Sequence, residues 1–354
     1  MKRIPSLDGL RCISILLVII GHSRFNLYGI NIANLGVRIF FVISSFLIIG
    51  LLLNDLERNR FSIKRFYFKR IMRTFPAFYF YLFFTGAFLY SINIFEWEQF
   101  WRSIFYIENY HPRNNWTKVQ WFVGHSWSLA VEEQFYIISS LIFILLQKNL
   151  LQKKSLNKIF YFTIIISPLL RVSYIFFKEC LPDFLILSNG RSFETVADAL
   201  AIGGIIVLNK DKIKSFRIFK YLCKNIIYCV LLIILVELLR SYLIPEEYSF
   251  KLKVVYNLFG QTVGNIMIGI IILDVIEFEP KTSIVSKLLN NKLSIKIGLL
   301  SYSIYLWQQV WLYNWEIHLV YKYFGIIFSA LVSYYMIERP FLNFRDKISN
   351  KYLS

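Results

Sequence analysis

The chain has 354 residues, of which 56% are hydrophobic and 18% aromatic, with a formal charge of +18. Its apolar residues come in runs of roughly twenty between short polar loops, the length a helix needs to cross a bilayer core, which excludes an ordinary soluble domain. The basic residues sit mostly in alternate loops, the pattern of the positive-inside rule, so the net charge does not report nucleic-acid binding.

Lipid offers the backbone no hydrogen-bond partners, so the apolar runs are predicted as helices and not as an open sheet. Ten spans are expected, over 7–23, 35–53, 75–94, 127–147, 158–177, 194–209, 222–239, 254–276, 295–314 and 317–337. The first carries Arg11 within its apolar region, which with the absence of a small-residue cleavage site argues against a cleaved signal peptide. The sixth contains Gly203 and Gly204; Gly260 and Gly264 in the eighth are spaced for close helix packing; the last two spans are near enough in sequence to form a tight hairpin. Basic clusters fall at Lys2 and Arg3, at Arg58 to Arg73, at Lys148 to Lys154, at Lys210 to Lys224, at Lys281 to Lys296 and at Arg339 to Lys351. With ten crossings all of these share one side, so both termini are expected in the cytoplasm, while an intervening loop such as that with Glu96, Glu98, Arg102, Glu108 and Arg113 is balanced. The expected architecture is therefore an all-α polytopic integral membrane protein with about ten transmembrane helices: one membrane domain over 1–345 and a short cytoplasmic tail over 346–354. The four cysteines, Cys12, Cys180, Cys223 and Cys229, show no metal or redox spacing, and no metal site is expected.

Against this background the ionisable residues inside the spans are the candidates for chemistry, because a charge in lipid is costly and normally faces protein or a water-filled path. Arg11 and His22 stand eleven residues apart, three turns plus roughly 20°, so they share one stripe of the first helix about 16 Å apart along its axis. Arg11 also fits a cation snorkelling toward the cytoplasm, and His22 a buried hydrogen-bonded side chain. Histidine is the side chain best matched to proton transfer near neutral pH, and beside an alcohol it can remove the proton during attack on an acyl carbonyl. Lys69, Arg70 and Arg73, followed by Pro76, read either as positive-inside charge or as an anion clamp, since arginine forks suit phosphate oxygens and Arg70 and Arg73 share a helix face. Glu132 and Glu133 open the fourth span; either favours a helix N-terminus, or points inward to orient His22 and stabilise its imidazolium. The hydroxyls and amides of Ser301 to Gln309, including Tyr302 and Gln308, are suited to lining a polar cavity for a sugar or to bonding between helices.

Taken in order, the segments Leu7-Asp8-Gly9-Leu10-Arg11 with His22, Gly36 to Phe46, Lys69 to Pro76, Trp127 to Tyr136, Ser301 to Gln309 and Ile337-Glu338-Arg339-Pro340-Phe341 resemble the acyltransferase-3 family of membrane acyltransferases, over nearly the whole chain. The resemblance implies ten membrane helices, an acyl-CoA donor (acetyl-CoA in the simplest case) on the cytoplasmic side, and a glycan acceptor outside. It makes Arg11 and His22 catalytic or donor-binding, Arg70 and Arg73 donor contacts, and Glu132 the acid of its pair that acts; Lys69, beside the two arginines, is read as a further donor contact, and Tyr302 and Gln308, from their hydroxyl and amide, as acceptor contacts. It implies an O-acyltransferase, in the first instance an O-acetyltransferase of a bacterial surface polysaccharide or lipid-linked sugar, in the inner membrane, with acyl-CoA, the glycan and membrane lipids as partners. Two positions depart from the pattern. Val196-Ala197-Asp198 stands where Arg-Ala-Asp is common, so any role of that arginine is lost or moved, and Ser45 stands where glycine is usual. Some members carry a fused extracellular esterase-like domain; without one, direct transfer to the acceptor is the expected scheme. A transporter or flippase of a lipid-linked sugar is the alternative, but it predicts pseudo-symmetric halves that the sequence does not show.

Overall fold

The computed structural model describes residues 3–23, 32–111, 117–186, 188–243, 250–277 and 283–352. Lys2, Arg113 and Lys281 of the charge pattern lie outside them. The described residues contain helices and no strand. In chain order these are α1 (Pro5–His22), α2 (Ile32–Glu57), α3 (Ile63–Ser91), α4 (Trp97–Ile104), a 3-10 turn (Glu108–Tyr110), α5 (Lys118–Val123), a second 3-10 turn (Gly124–Ser126) and α6 (Trp127–Gln147). Then follow α7 (Lys153–Phe176), α8 (Asp183–Ile186), α9 (Phe193–Ser215), α10 (Arg217–Lys224), α11 (Ile226–Leu243) and α12 (Phe250–Val255), which continues through a π-helical turn (Tyr256–Gly260) into α13 (Gln261–Glu277). The chain closes with α14 (Ile284–Leu289), α15 (Lys292–Leu312), α16 (Leu319–Ser333), a second π-helical turn (Tyr334–Glu338) and α17 (Arg339–Tyr352). The boundary expected at 345/346 falls inside α17.

Among the described residues, six helical stretches are long and apolar enough to cross a membrane: Pro5–His22, Ile32–Glu57, Lys118–Gln147, Lys153–Phe176, Phe250–Glu277 and Leu319–Ser349. The sequence reading expected about ten. The four remaining long helices, α3, α9, α11 and α15, have 29, 23, 18 and 21 residues. Each carries ionisable side chains, among them Arg70 and Arg73 in α3 and Glu237 and Arg240 in α11. Large apolar side chains face outward along the helices, among them Phe83, Phe162, Leu231 and Phe324, as expected where the surrounding solvent is lipid.

α2 is the hub. It is the most deeply buried of the six stretches, and Phe41, Val42, Ile43, Ile49 and Leu52 are almost wholly enclosed. α1, α6, α9 and α13 pack around it, and α1 is held on its other side by α15. Backbones approach closely where the sequence is glycine: a Cβ at Gly203 would lie 2.4 Å from the Val42 carbonyl oxygen of α2, and one at Gly298 would lie 1.9 Å from that of Asp8. Gly264 makes room not for a backbone but for the Arg38 guanidinium, 3.1 Å from its Cβ position, and Gly260 lies against its own Tyr256 ring. α15 and α16 form the expected hairpin.

Buried ion pairs tie the outer helices to this hub. Arg171 of α7 and Asp198 of α9, both fully enclosed, meet at 3.1 Å, and Thr262 of α13 donates to Asp198 at 2.7 Å while accepting from Arg171 at 2.6 Å. Arg38 of α2 pairs with Glu237 of α11 and donates to the Gln261 carbonyl. The arginine missing at position 196 is thus answered for Asp198 by a neighbouring helix: α7 supplies Arg171.

Candidate active site

α1 starts cleanly because Pro5 occupies its first turn, where the missing N–H costs nothing, and Asp8 complements the positive helix end. Asp8 then takes Arg3 at 2.7 Å and Arg11 at 3.5 Å, which fixes the Arg11 side chain one turn further on. From α3, Arg70, Arg73 and Thr74 lie on one face. From α6 come Ser128, Glu132, Glu133 and Tyr136, and from α15 Ser301, Tyr302 and Tyr305. With Val37, Phe40, Phe41 and Ser44 of α2, and with Tyr106, these residues line a cavity of about 100 Å³.

Three arginines, Arg11, Arg70 and Arg73, face two carboxylates across this cavity. Each acid is held. Tyr136 donates to Glu132 Oε2 at 2.7 Å, Ser44 Oγ reaches the same oxygen at 3.3 Å, and Ser44 and Tyr136 are themselves 2.8 Å apart. Glu133 accepts from Thr74 Oγ1 at 3.2 Å. The Arg70 guanidinium lies 3.9 Å above the Tyr136 ring, a cation–π contact, and its Nε is buried without a hydrogen-bond partner among the described residues. Tyr302 donates to the Thr74 carbonyl at 2.8 Å, tying α15 to the basic turn of α3. Planar guanidinium forks lining one small cavity, one of them with an unfilled donor, are chemically suited to anionic oxygens.

His22 lies at the far end of α1 and does not line the cavity. Its Nδ1 is 3.0 Å from Gln308 Oε1, the one hydrogen bond its ring makes among the described residues. Nδ1–H therefore donates to the amide, and Nε2 keeps its lone pair for a proton. Along α15, Tyr305 lines the cavity and Gln308 follows one turn later. Tyr305 lines the cavity on this side: its hydroxyl is 2.6 Å from Ser128 Oγ and donates to the His125 carbonyl at 2.8 Å.

Most of the residues singled out from sequence, Arg11, Arg70, Arg73, Glu132, Glu133 and Tyr302, thus line one cavity, while His22 and Gln308 pair away from it. Glu132 does not orient His22; it is turned into the cavity, held by Ser44 and Tyr136, and Gln308 is the partner of His22. Tyr302 lies in the cavity beside the arginines. Lys69 does not line it; its charged neighbours are Arg65, Asp55 at the end of α2, and Arg345 and Asp346 of α17, because it stands about 100° around the helix from Arg70. Tyr136, Tyr305 and Gln309 fall inside segments the sequence reading singled out but received no role of their own, and His125 was passed over. Tyr136 was within reach, one turn after Glu132; His125 had a signal only in its position immediately before the Trp127 segment.

A family model described as an acyltransferase domain (Acyl_transf_3) matches residues 4–337. The chain belongs to this acyltransferase family. Its curated relatives include a protein of Staphylococcus aureus (strain COL) named "Putative O-acetyltransferase", 31% identical over 96% of this chain and 58% of the relative. They also include the peptidoglycan O-acetyltransferase OatA of Listeria monocytogenes, 32% identical over 39% of this chain and 24% of the relative. An uncharacterized protein of Haemophilus influenzae is 35% identical over 46% of this chain and 71% of its own length. The chain therefore spans little more than half of the staphylococcal relative it matches throughout. No solved structure matches.

Proposed function

We propose that the protein is a membrane O-acyltransferase, in the first instance an O-acetyltransferase, that moves an acyl group from acyl-CoA to a hydroxyl of a cell-envelope glycan. The observation that carries this is the arrangement along α1 and α15: an arginine-lined cavity at one end and His22, hydrogen-bonded through Nδ1 to Gln308, at the other. The charge pattern supports ten crossings, with α3, α9, α11 and α15 joining the six apolar stretches, both termini in the cytoplasm, and the protein in the bacterial inner membrane. On that topology the Arg11 end of α1 is cytoplasmic and the His22 end is outward. Arg70 and Arg73, with Arg11, hold the phosphates and the donor's acyl-bearing arm points past Tyr305 toward His22. Tyr302 and Glu132 shape the cavity.

The chemistry follows from the free Nε2 of His22. It takes the proton of the acceptor hydroxyl as that oxygen attacks the thioester carbonyl; the tetrahedral intermediate collapses, the carbon–sulfur bond breaks, and the proton passes to the departing thiolate. Gln308 accepts from Nδ1–H throughout, keeping the ring in the productive tautomer. The names of the relatives, O-acetyltransferases of S. aureus and of listerial peptidoglycan, support acetyl as the group and a glycan as the acceptor.

The test compares envelope glycans of a deletion strain, and of that strain carrying wild-type or His22→Ala protein, by mass spectrometry before and after mild base. A base-labile acyl increment that requires both the protein and His22 is expected, with the His22→Ala protein still in the membrane. Truncated or missing glycan in the deletion strain, without loss of an acyl group, overturns the reading in favour of a transporter of lipid-linked sugar.

A further inference from the structure

Behind the Tyr305 wall is a group of polar atoms that the scheme above does not use. His125 is buried in the 3-10 turn that leads into α6. Its polar neighbours are the Gln309 side chain and the Leu306 backbone, but neither makes a well-aligned hydrogen bond to its ring nitrogens, and Nε2 of Gln308 and Oε1 of Gln309 likewise make none among the described residues. His125, Gln308 and Gln309 are 3%, 0% and 5% exposed. The His125 ring packs edge-on to Tyr305 and Tyr81, with centroids 5.3 and 5.5 Å away, and His22 is its titratable neighbour. Trp121 of α5 donates to the Gln309 carbonyl at 2.8 Å, which fixes α15 against the chain segment that carries His125. Buried polar atoms are ordinarily satisfied, and leaving several open in one place is destabilising unless something fills them.

We infer that His125, Gln309 and the free Nε2 of Gln308 form the acceptor subsite, binding hydroxyls of the glycan next to the one that His22 deprotonates. This rests on the reading given under Proposed function. The chemistry selects the ligand class. The three side chains are an imidazole and two carboxamides, which offer both donors and acceptors and no fixed charge. That set matches neutral sugar hydroxyls, each able to donate and to accept, and is a poor match for phosphate, whose arginines lie on the other side of Tyr305. The partition gives the two substrates separate ends of one path: the anionic donor before Tyr305, the neutral acceptor beyond it.

The experiment uses membrane vesicles containing the protein and the host's own envelope glycan, with radiolabelled acetyl-CoA. Base-releasable label in glycan measures transfer, and retention of tritiated CoA by the vesicles measures donor binding. Transfer in wild-type vesicles that is no greater than in vesicles lacking the protein refutes the acyltransferase reading itself. Given that transfer, His125→Asn should lower it about tenfold, the weight of one hydrogen bond lost at a buried site, with CoA retention within about twofold of wild type. His125→Gln, which restores reach and a donor, should recover part of the rate. Transfer at the wild-type rate in His125→Asn sinks the inference. So does an equal loss of transfer and CoA retention in both variants, which would make His125 a residue of the fold or of the donor site.

Discussion

The contact of Gly298 with α1 puts the geometry of the candidate site under a direct test. A Cβ at position 298 falls 1.9 Å from the Asp8 carbonyl oxygen and 2.6 Å from its carbon, both backbone atoms that cannot turn aside. Real Cβ contacts essentially never fall under 3.0 Å, so in Gly298→Ala α1 and α15 must part by about 1 Å. The same two helices carry His22 and Gln308, now 3.0 Å apart. Opening that pair to about 4 Å takes it outside hydrogen-bonding range. It also moves Asp8, which holds Arg11. Strain from overpacking of this kind costs about 1–3 kcal/mol, and a misplacement of about 1 Å in a catalytic group can lower the rate about a hundredfold. The assay is label transfer from acetyl-CoA to envelope glycan in vesicles, alongside the melting temperature of the detergent-purified protein. Gly86→Ala in α3 is the control, since its nearest contact is the edge of the Phe100 ring at 3.2 Å, which can give way. Wild-type transfer and melting in Gly298→Ala would refute the claim that the α1–α15 approach sets the site.

Three further outcomes are expected. Arg70→Ala together with Arg73→Ala should raise the acetyl-CoA KM at least tenfold while leaving the protein in the membrane, measured as transfer rate against donor concentration; an unchanged KM removes the donor clamp. Arg171→Ala strands Asp198 as a buried unpaired charge and should destabilise by about 3–5 kcal/mol, read as a large drop in melting temperature; a drop no larger than that of a surface control means the pair is not structural. Glu108 lies outside the spanning helices, buried beside Gln120, and burial pushes its carboxyl up to about 8 against the opposing pull of Arg191 and Arg102. Between the ordinary carboxylate value and that raised one the folded state holds the proton that the unfolded chain has released. Stability should therefore fall as pH rises toward about 8; Glu108→Gln should flatten a melting curve series over pH 5 to 9, and an unaltered slope would assign the effect to another group.

The helical layout was legible because bilayer thickness forces a length on each apolar run: the fourth span was expected at 127–147 and is found as α6 (Trp127–Gln147), and the first was expected at 7–23 and is found as α1 (Pro5–His22). One helical period relates Arg11 and His22 on α1, but only Arg11 lines the cavity. Pairings across helices were not legible. His22 and Gln308 are 286 positions apart, and nothing local distinguishes an amide that fixes a tautomer from one that touches a sugar. The pairing of Glu132 with His22 fails on the same ground. An acid at the start of a helix has several inward directions, and the position of Ser44 on α2, together with Tyr136 one turn along α6, decides which one is taken.

Asp198 shows why a local motif is a weak guide to a buried charge. The segment Val196-Ala197-Asp198 leaves an acid without its near neighbour, and an unpaired carboxylate in an apolar interior is strongly unfavourable. What the fold must supply is one guanidinium within reach; its position in the sequence is free. α7 packs along α9, and Arg171 meets Asp198 from there, with Thr262 of α13 closing the remaining valences. The constraint is charge pairing in space and not residue order. The same logic governs the candidate site, where three arginines drawn from α1 and α3 converge on one cavity. α2 holds α1 on one side and α6, with its two carboxylates, on another, while α15 brings in α3 through Tyr302 and the Thr74 carbonyl. A substitution in the hub should therefore be felt at the cavity sooner than one of equal size on an outer helix.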